Sequence, residues 1–166
     1  MTGRDGYAEF YQHTYPRLCG QLYAYLGDAT EAEDVVQEAF LRAWRDWRKI
    51  STYDQPAAWV HRVAWNLATS RLRRVVTAAR HVRRHRHETV VPPVGPEHVA
   101  LVAALRTLPE TLRRAIVLHY IADRSVADIA AEMGAPRGTV LSWLHRGRAL
   151  LAAHLSDTRL EATRDA

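Results

Sequence analysis

A run of side chains with the types and spacing to read or hold a polyanion lies near the C-terminus: Arg137, Thr139, Leu141, Ser142, His145, Arg146 and Arg148. They belong to DIAAEMGAPRGTVLSWLHRGR, residues 128–148, which stops one helix and at once starts another. Two helices that cross steeply through a short turn need a glycine at the corner and a small residue where the backbones touch. Gly134 is the expected corner and Ala130 the small contact, while Ile129, Met133, Val140, Trp143 and Leu144 fall on the faces that close over them. The spacing therefore predicts a helix-turn-helix, whose second helix offers its N-terminal side chains to the major groove of DNA. From Gly134 to Ser156 there are three arginines, two histidines and no acid. That suits an element lying against phosphate, where a carboxylate would be repelled. A helical hairpin with a solvated basic face would carry the same residues.

A second constellation is acidic. From Asp28 to Leu41 there are five acids and no base. Asp34, Gln37, Glu38 and Leu41 lie three or four residues apart, so on a helix they share one exposed stripe. Such a stripe suits docking on a basic helical surface, although a merely solvated face looks similar. The third constellation is basic again, with eight arginines and no acid from Gln55 to His87. Within it Arg62, Arg71, Arg73 and Arg74 suit backbone phosphates, Asn66 can hydrogen-bond a base edge, and Ser70 and His61 are further polar candidates. Patches of alternating sign imply two kinds of partner, an anionic polymer and something basic.

Other chemistries find no support in the residues. No Ser/His/Asp set, paired carboxylates, phosphate loop or metal-ligand spacing stands out, so neither catalysis, a cofactor, a metal nor a small-molecule substrate is expected. The single cysteine, Cys19, excludes an internal disulfide and any zinc site that needs two thiolates; it reads as a small apolar helix residue. The three histidines in residues 78–96 have no accompanying carboxylate or thiolate pattern and read as part of a solvated basic strap. The first residues lack a signal pattern and no apolar run is long enough to span or insert into a bilayer, so a cytoplasmic chain is expected.

The elements that must position these residues are helical. In 166 residues, 48% of them hydrophobic, the β-branched residues never alternate over a convincing run. The periodicity predicts a helix over 7–26, with Phe10, Tyr11, Leu18, Leu22, Tyr25 and Leu26 on one face. A second follows over 31–47, capped by Thr30 with Glu33 completing a capping box, and burying Val35, Val36, Phe40, Leu41 and Trp44. Residues 49–55 read as a loop, and Pro56 fits the first turn of a third helix reaching about Val75. Four of the five tryptophans, Trp44, Trp47, Trp59 and Trp65, lie in or beside this helix, where helical spacing assigns most of them to the core. Residues 78–96 form a basic linker with three prolines and a glycine. Helices over 97–107, 109–120, 125–133 and 137–154 follow, with Ser125 and Asp128 as a capping box. The fold class is all-α: two small helical domains joined by a basic, proline-containing linker.

The runs EDVVQEAFLRAWRDW (33–47) and AWVHRVAWNLATSRLRR (58–74) resemble region two of the sigma-70 family of transcription initiation factors. The run LPETLRRAIVLHYIADRSVADIAAEMGAPRGTVLSWLHRGRALL, from Leu108, resembles region four. Both blocks in that order, with little else, are similar to the extracytoplasmic-function (ECF) group, over roughly residues 8–154. The resemblance implies region two at 1–76, a linker at 77–96, region four at 97–156 and a tail at 157–166. It implies that Asp34, Gln37, Glu38 and Leu41 dock on core RNA polymerase at the β′ clamp helices, with the β subunit as a further contact. It implies that Trp59, Arg62, Asn66, Ser70, Arg71, Arg73 and Arg74 meet minus-ten promoter DNA, and that Tyr53, Asp54 and Gln55 line the place of an extruded base. The minus-thirty-five element would fall to Arg137, Thr139, Leu141, Ser142, His145, Arg146 and Arg148, and an anti-sigma factor is implied as a further partner.

The sequence departs from the family pattern at four positions. An acid is usual where Ser70 stands, a serine where Pro136 stands, and basic residues where Leu141 and Trp143 stand. The linker is basic where the family's is often acidic. The function implied is that of an alternative sigma factor, which would recognise and help to melt promoter DNA as part of the polymerase. The rivals are a free-standing helix-turn-helix regulator that binds duplex DNA without polymerase, and a helical adaptor that binds only protein.

Overall fold

In the computed structural model, which describes residues 5–79 and 96–164, every regular element among the described residues is an α-helix. The chain divides into two units, Met1–Pro92 and Pro93–Ala166. The first holds α1 (Asp5–Leu26), α2 (Ala29–Arg45), the single turn α3 (Trp47–Ile50) and α4 (Pro56–Ala79). The second holds α5 (Pro96–Arg106), α6 (Glu110–Tyr120), α7 (Val126–Met133) and α8 (Arg137–Arg164). Most of the expected linker, residues 80–95, lies outside the described residues. Two expected helix ends move by a turn or more. The third long helix continues past Val75 to Ala79, and α8 runs through residues 157–164, expected as a tail.

In the first unit α1, α2 and α4 pack against one another in all three pairings. Leu22 and Tyr25 of α1, Val35, Val36 and Phe40 of α2, and Val60 and Trp65 of α4 are buried. Each such side chain contributes about 1.5–3 kcal/mol by leaving water. Ala32, Ala39 and Ala43 are buried on the same face of α2, where short side chains let the neighbouring helices come close. Asp28, not Thr30, caps this helix: its backbone is extended (φ −134°) and its carboxylate accepts the Glu31 N–H at 3.0 Å. At the far end of α2 the burial expected of Leu41 and Trp44 fails, and Leu41 takes the exposed place that the 34–37–38–41 spacing also gave it. Leu41 is 60% exposed and Trp44 37% exposed, because α2 turns that edge outward, and α3 supplies Trp47 and Ile50 to the core instead. The loop is accordingly shorter than expected and begins at Ser51.

In the second unit α6 packs on α7 and α8, and α5 on α8, around Leu105, Ile116, Leu118, Ile129, Val140 and Leu144. The corner of the helix-turn-helix is Gly134, at φ +62°, whose N–H bonds the Ala130 carbonyl. This left-handed conformation is one that glycine adopts without a Cβ penalty. The capping box is present: the Asp128 N–H donates to Ser125 Oγ at 3.1 Å, and the Ser125 N–H to Asp128 Oδ2 at 3.3 Å. The Ser125 hydroxyl, which also donates to that carboxylate, holds the Asp128 carboxyl below its ordinary range.

The approach that most needs glycine is not in the turn but in α8. A Cβ on Gly147 would stand 2.7 Å from Ile116 Cγ1 of α6. We expect Gly147→Ala to lower the melting temperature of this unit. Alanine gains about 1 kcal/mol of helix propensity, but overpacking a filled site costs about 1–3 kcal/mol. Gly147→Leu should lose more. A Gly147→Ala protein that melts above the parent would show that the Ile116 side chain yields to the added methyl.

Candidate functional site

Three helix faces carry the candidate residues. On α2 the buried positions 32, 35, 36, 39, 40 and 43 share one side, and Asp34, Gln37 and Leu41 are exposed half a turn away. Glu38 stands at the edge of this stripe, on the side of α4. It accepts from Arg42, one turn further along α2, and from Arg71 Nη2 of α4 at 3.2 Å. Arg71 Nη1 also reaches Glu31 Oε2 at 3.2 Å. The Arg42 guanidinium first, and Arg71 after it, hold the Glu38 carboxyl below its ordinary range. One turn beyond Leu41, the half-open Trp44 ring stands edge-on to Tyr7 with centroids 4.8 Å apart. The stripe is thus polar at its N-terminal end and apolar at its C-terminal end. Next to it, burial pushes the Cys19 thiol up to about 11, which leaves it an unreactive thiol at neutral pH.

On α4 the structure brings together Trp59, Arg62, Asn66, Ser70 and Arg73, spaced three or four residues apart; Trp59 is half-buried and the others are exposed. Arg74 is exposed one turn beyond Ser70 and, with Arg73, Thr77 and Ala78, lines an open surface hollow. Arg71 does not join this stripe, since its side chain leaves the helix toward α2. The inner face of α4 is held by Val60, Ala64, Trp65 and Ala68, and the Trp65 ring lies 4.9 Å from that of Tyr25. Tyr53, Asp54 and Gln55 are exposed in the loop that leads into α4. The Tyr53 N–H bonds the Ile50 carbonyl at 3.0 Å and the Gln55 carbonyl accepts the Ala58 N–H at 3.1 Å, which fixes both ends of that loop.

On α8 the buried residues Val140, Leu144 and Gly147 face the core. Arg137, Leu141, Ser142, His145 and Arg146 are exposed, and Thr139 is half-buried. Leu141, 56% exposed, stands in the middle of the outward face. The first turn of α8 contains no acid, so the positive end of the helix dipole is left available to an anion. Arg148 has an internal partner: its Nη1 donates to the Tyr120 hydroxyl of α6 at 3.0 Å. Sequence reasoning missed this bond, the exposure of Trp44 and the pairing of Arg71. Among the described residues no group of histidine, cysteine and carboxylate side chains could hold a metal ion, and no helix is long and apolar enough to cross a membrane.

A helix-turn-helix whose second helix carries no acid before Asp157, in a chain that also has an arginine-rich helix and a separate acidic stripe, has the make-up of a DNA-binding protein. Residues 10–77 match the family described as Sigma-70 region 2, and residues 98–151 the family described as Sigma-70, region 4. The chain is 30% identical to the ECF RNA polymerase sigma factor SigW of Bacillus subtilis, over 93% of its own length and 91% of that protein. It is 36% identical to the ECF RNA polymerase sigma factor SigL of Mycobacterium tuberculosis, over 83% of its own length and 81% of that protein. Its fold is similar to that of the sigma factor RpoE from Bartonella quintana, solved in complex with the anti-sigma factor NepR. The TM-score is 0.71 at 24% identity, over 92% of this chain and 98% of that one. The chain belongs to the sigma-70 family, in its ECF group, and is an alternative sigma factor that acts with RNA polymerase.

Proposed function

We propose that the first unit acts as region two and the second as region four, joined by the basic linker. The α2 stripe, Asp34, Gln37, Glu38 and Leu41, docks on a basic helical surface of core RNA polymerase, the β′ clamp helices. On α4, Arg62, Arg73 and Arg74 hold phosphates of the minus-ten element while Asn66 and Ser70 meet base edges, with Trp59 beside them. Tyr53, Asp54 and Gln55 line the place of an unpaired base at the head of that stripe. The outward face of α8 enters the major groove at the minus-thirty-five element, with Arg137, Ser142, His145 and Arg146 toward base edges or phosphates, Thr139 and Leu141 offering apolar contact, and Arg148 reaching phosphate from beside Tyr120. The protein is not an enzyme and uses no cofactor; it works in the cytoplasm, and an anti-sigma factor is its natural antagonist.

The observation that carries this reading is the α2 stripe. Asp34, Gln37 and Leu41 are all exposed on a helix whose other face is buried. A free-standing helix-turn-helix regulator has no need of such a face. Asp34→Lys is therefore expected to weaken binding to core polymerase by about tenfold or more, the low end of what close interfacial charge pairs contribute. The helical circular dichroism should stay unchanged, because Asp34 is exposed. Affinity within about twofold of the parent would remove Asp34 from the interface, since reversing the charge of a docked acid adds like-charge repulsion to the lost pair.

A further inference from the structure

Arg71 is placed for α2 rather than for DNA. It sits one residue after Ser70, yet its guanidinium leaves the Arg62–Asn66–Ser70 stripe and bridges Glu31 and Glu38, at 3.2 Å from each carboxylate. Glu38 is also one of the four residues that face the polymerase in the reading above. Arg42 on Oε1 and Arg71 on Oε2 already occupy both oxygens of Glu38, so an incoming cation must share or displace one of them. The side chains of Arg71, Glu31 and Glu38 are 30%, 49% and 37% exposed, so the bridge is open to water and to an incoming partner. Exposed pairs of this kind are weak and exchange readily. Arg42, the other cation on Glu38, lies on α2 itself and stays with the helix whichever partner arrives.

We propose that Arg71 is an internal competitor for the polymerase-docking face. In the free protein it occupies Glu31 and Glu38, and docking transfers Glu38 to a basic side chain of the polymerase. This rests on the assignment of α2 as the docking helix. Arg71 then sets an upper limit on affinity by neutralising acids that would otherwise attract the partner, and it disfavours surfaces too weakly basic to displace it.

The test is the association of the full chain with core polymerase. Arg71→Gln is expected to bind about two- to fivefold more tightly than the parent, the scale of one exposed ion pair, through faster association and a steeper salt dependence. Arg71→Lys, which keeps the charge, should bind like the parent. Arg17→Gln, an equal change of charge at an exposed position of α1, should produce no such gain. The gain should also vanish when Arg71→Gln is combined with Glu31→Gln and Glu38→Gln. Unchanged or weaker binding by a folded Arg71→Gln protein would overturn the proposal, as would an equal gain from Arg17→Gln or a gain that survives without the two acids. Permanganate reactivity of the melted promoter, in holoenzyme assembled beforehand, should be the same with Arg71→Gln. Its loss would assign Arg71 to DNA instead. Failure of the parent protein to bind core polymerase would refute the docking reading itself, whereas binding by the parent with no gain in Arg71→Gln refutes only the competition.

Discussion

Trp65→Ala is expected to destabilise the first unit by about 3–5 kcal/mol, the range for truncating a buried aromatic side chain to alanine. Trp65 is fully buried, with its ring 4.9 Å from that of Tyr25 and 5.8 Å from that of His61. Trp65 belongs to α4, which packs on both α1 and α2. A small domain is stable by only about 5–15 kcal/mol in total, so the variant should unfold at much lower urea than the parent. Trp65→Phe should recover part of the loss, and Trp59→Ala, at a half-buried position, should cost less. Asn66, the next residue, is exposed, so the stripe of α4 that we assign to DNA depends on this inner anchor for its orientation. A Trp65→Ala protein with a midpoint close to the parent's would mean that α4 is not held as described.

Arg137→Ala and Arg146→Ala are each expected to weaken binding through the upstream promoter element by about 1–3 kcal/mol if the arginine reads a guanine in bidentate fashion. Both are exposed on α8, on a stretch from Gly134 to Ser156 that contains no acid to compete for them. The salt dependence separates the two modes of contact. Loss of one phosphate contact lowers the log–log slope by about 0.9 at every sequence, whereas loss of base readout acts on the native element alone. Holoenzyme carrying each variant should therefore be compared on the native element and on a scrambled one. Equal losses on both would make the arginines phosphate clamps, and no loss on either would remove them from the interface.

The faces of the helices were legible because burial follows the helical period, and Val35, Val36, Val140 and Leu144 announce it directly. The edges of those faces were not. Leu41 fits both the exposed 34–37–38–41 spacing and the apolar side, and Trp44 falls near the buried side; how α2 is rotated against α1 and α4 decides that both are exposed. Asp28 and Thr30 are both competent caps, and the backbone conformation at Asp28 decided between them. Arg71 looked like one more member of an arginine run because its partners lie 33 and 40 residues away. Gly147 did carry a signal: a glycine inside a helix costs about 1 kcal/mol relative to alanine, so its presence there implies a packing reason. The three site faces were thus readable as residue types, while their internal pairings needed the fold.

Run-off transcription with purified core polymerase tests the central claim most directly. Core polymerase alone should give no discrete product on a template carrying the cognate minus-thirty-five and minus-ten elements. Adding this protein should give one transcript of defined start, lost when either element is scrambled and reduced by Asp34→Lys. If the protein instead retards the duplex by itself and adds no transcript to core polymerase, the account of it as a promoter-recognising polymerase subunit is contradicted.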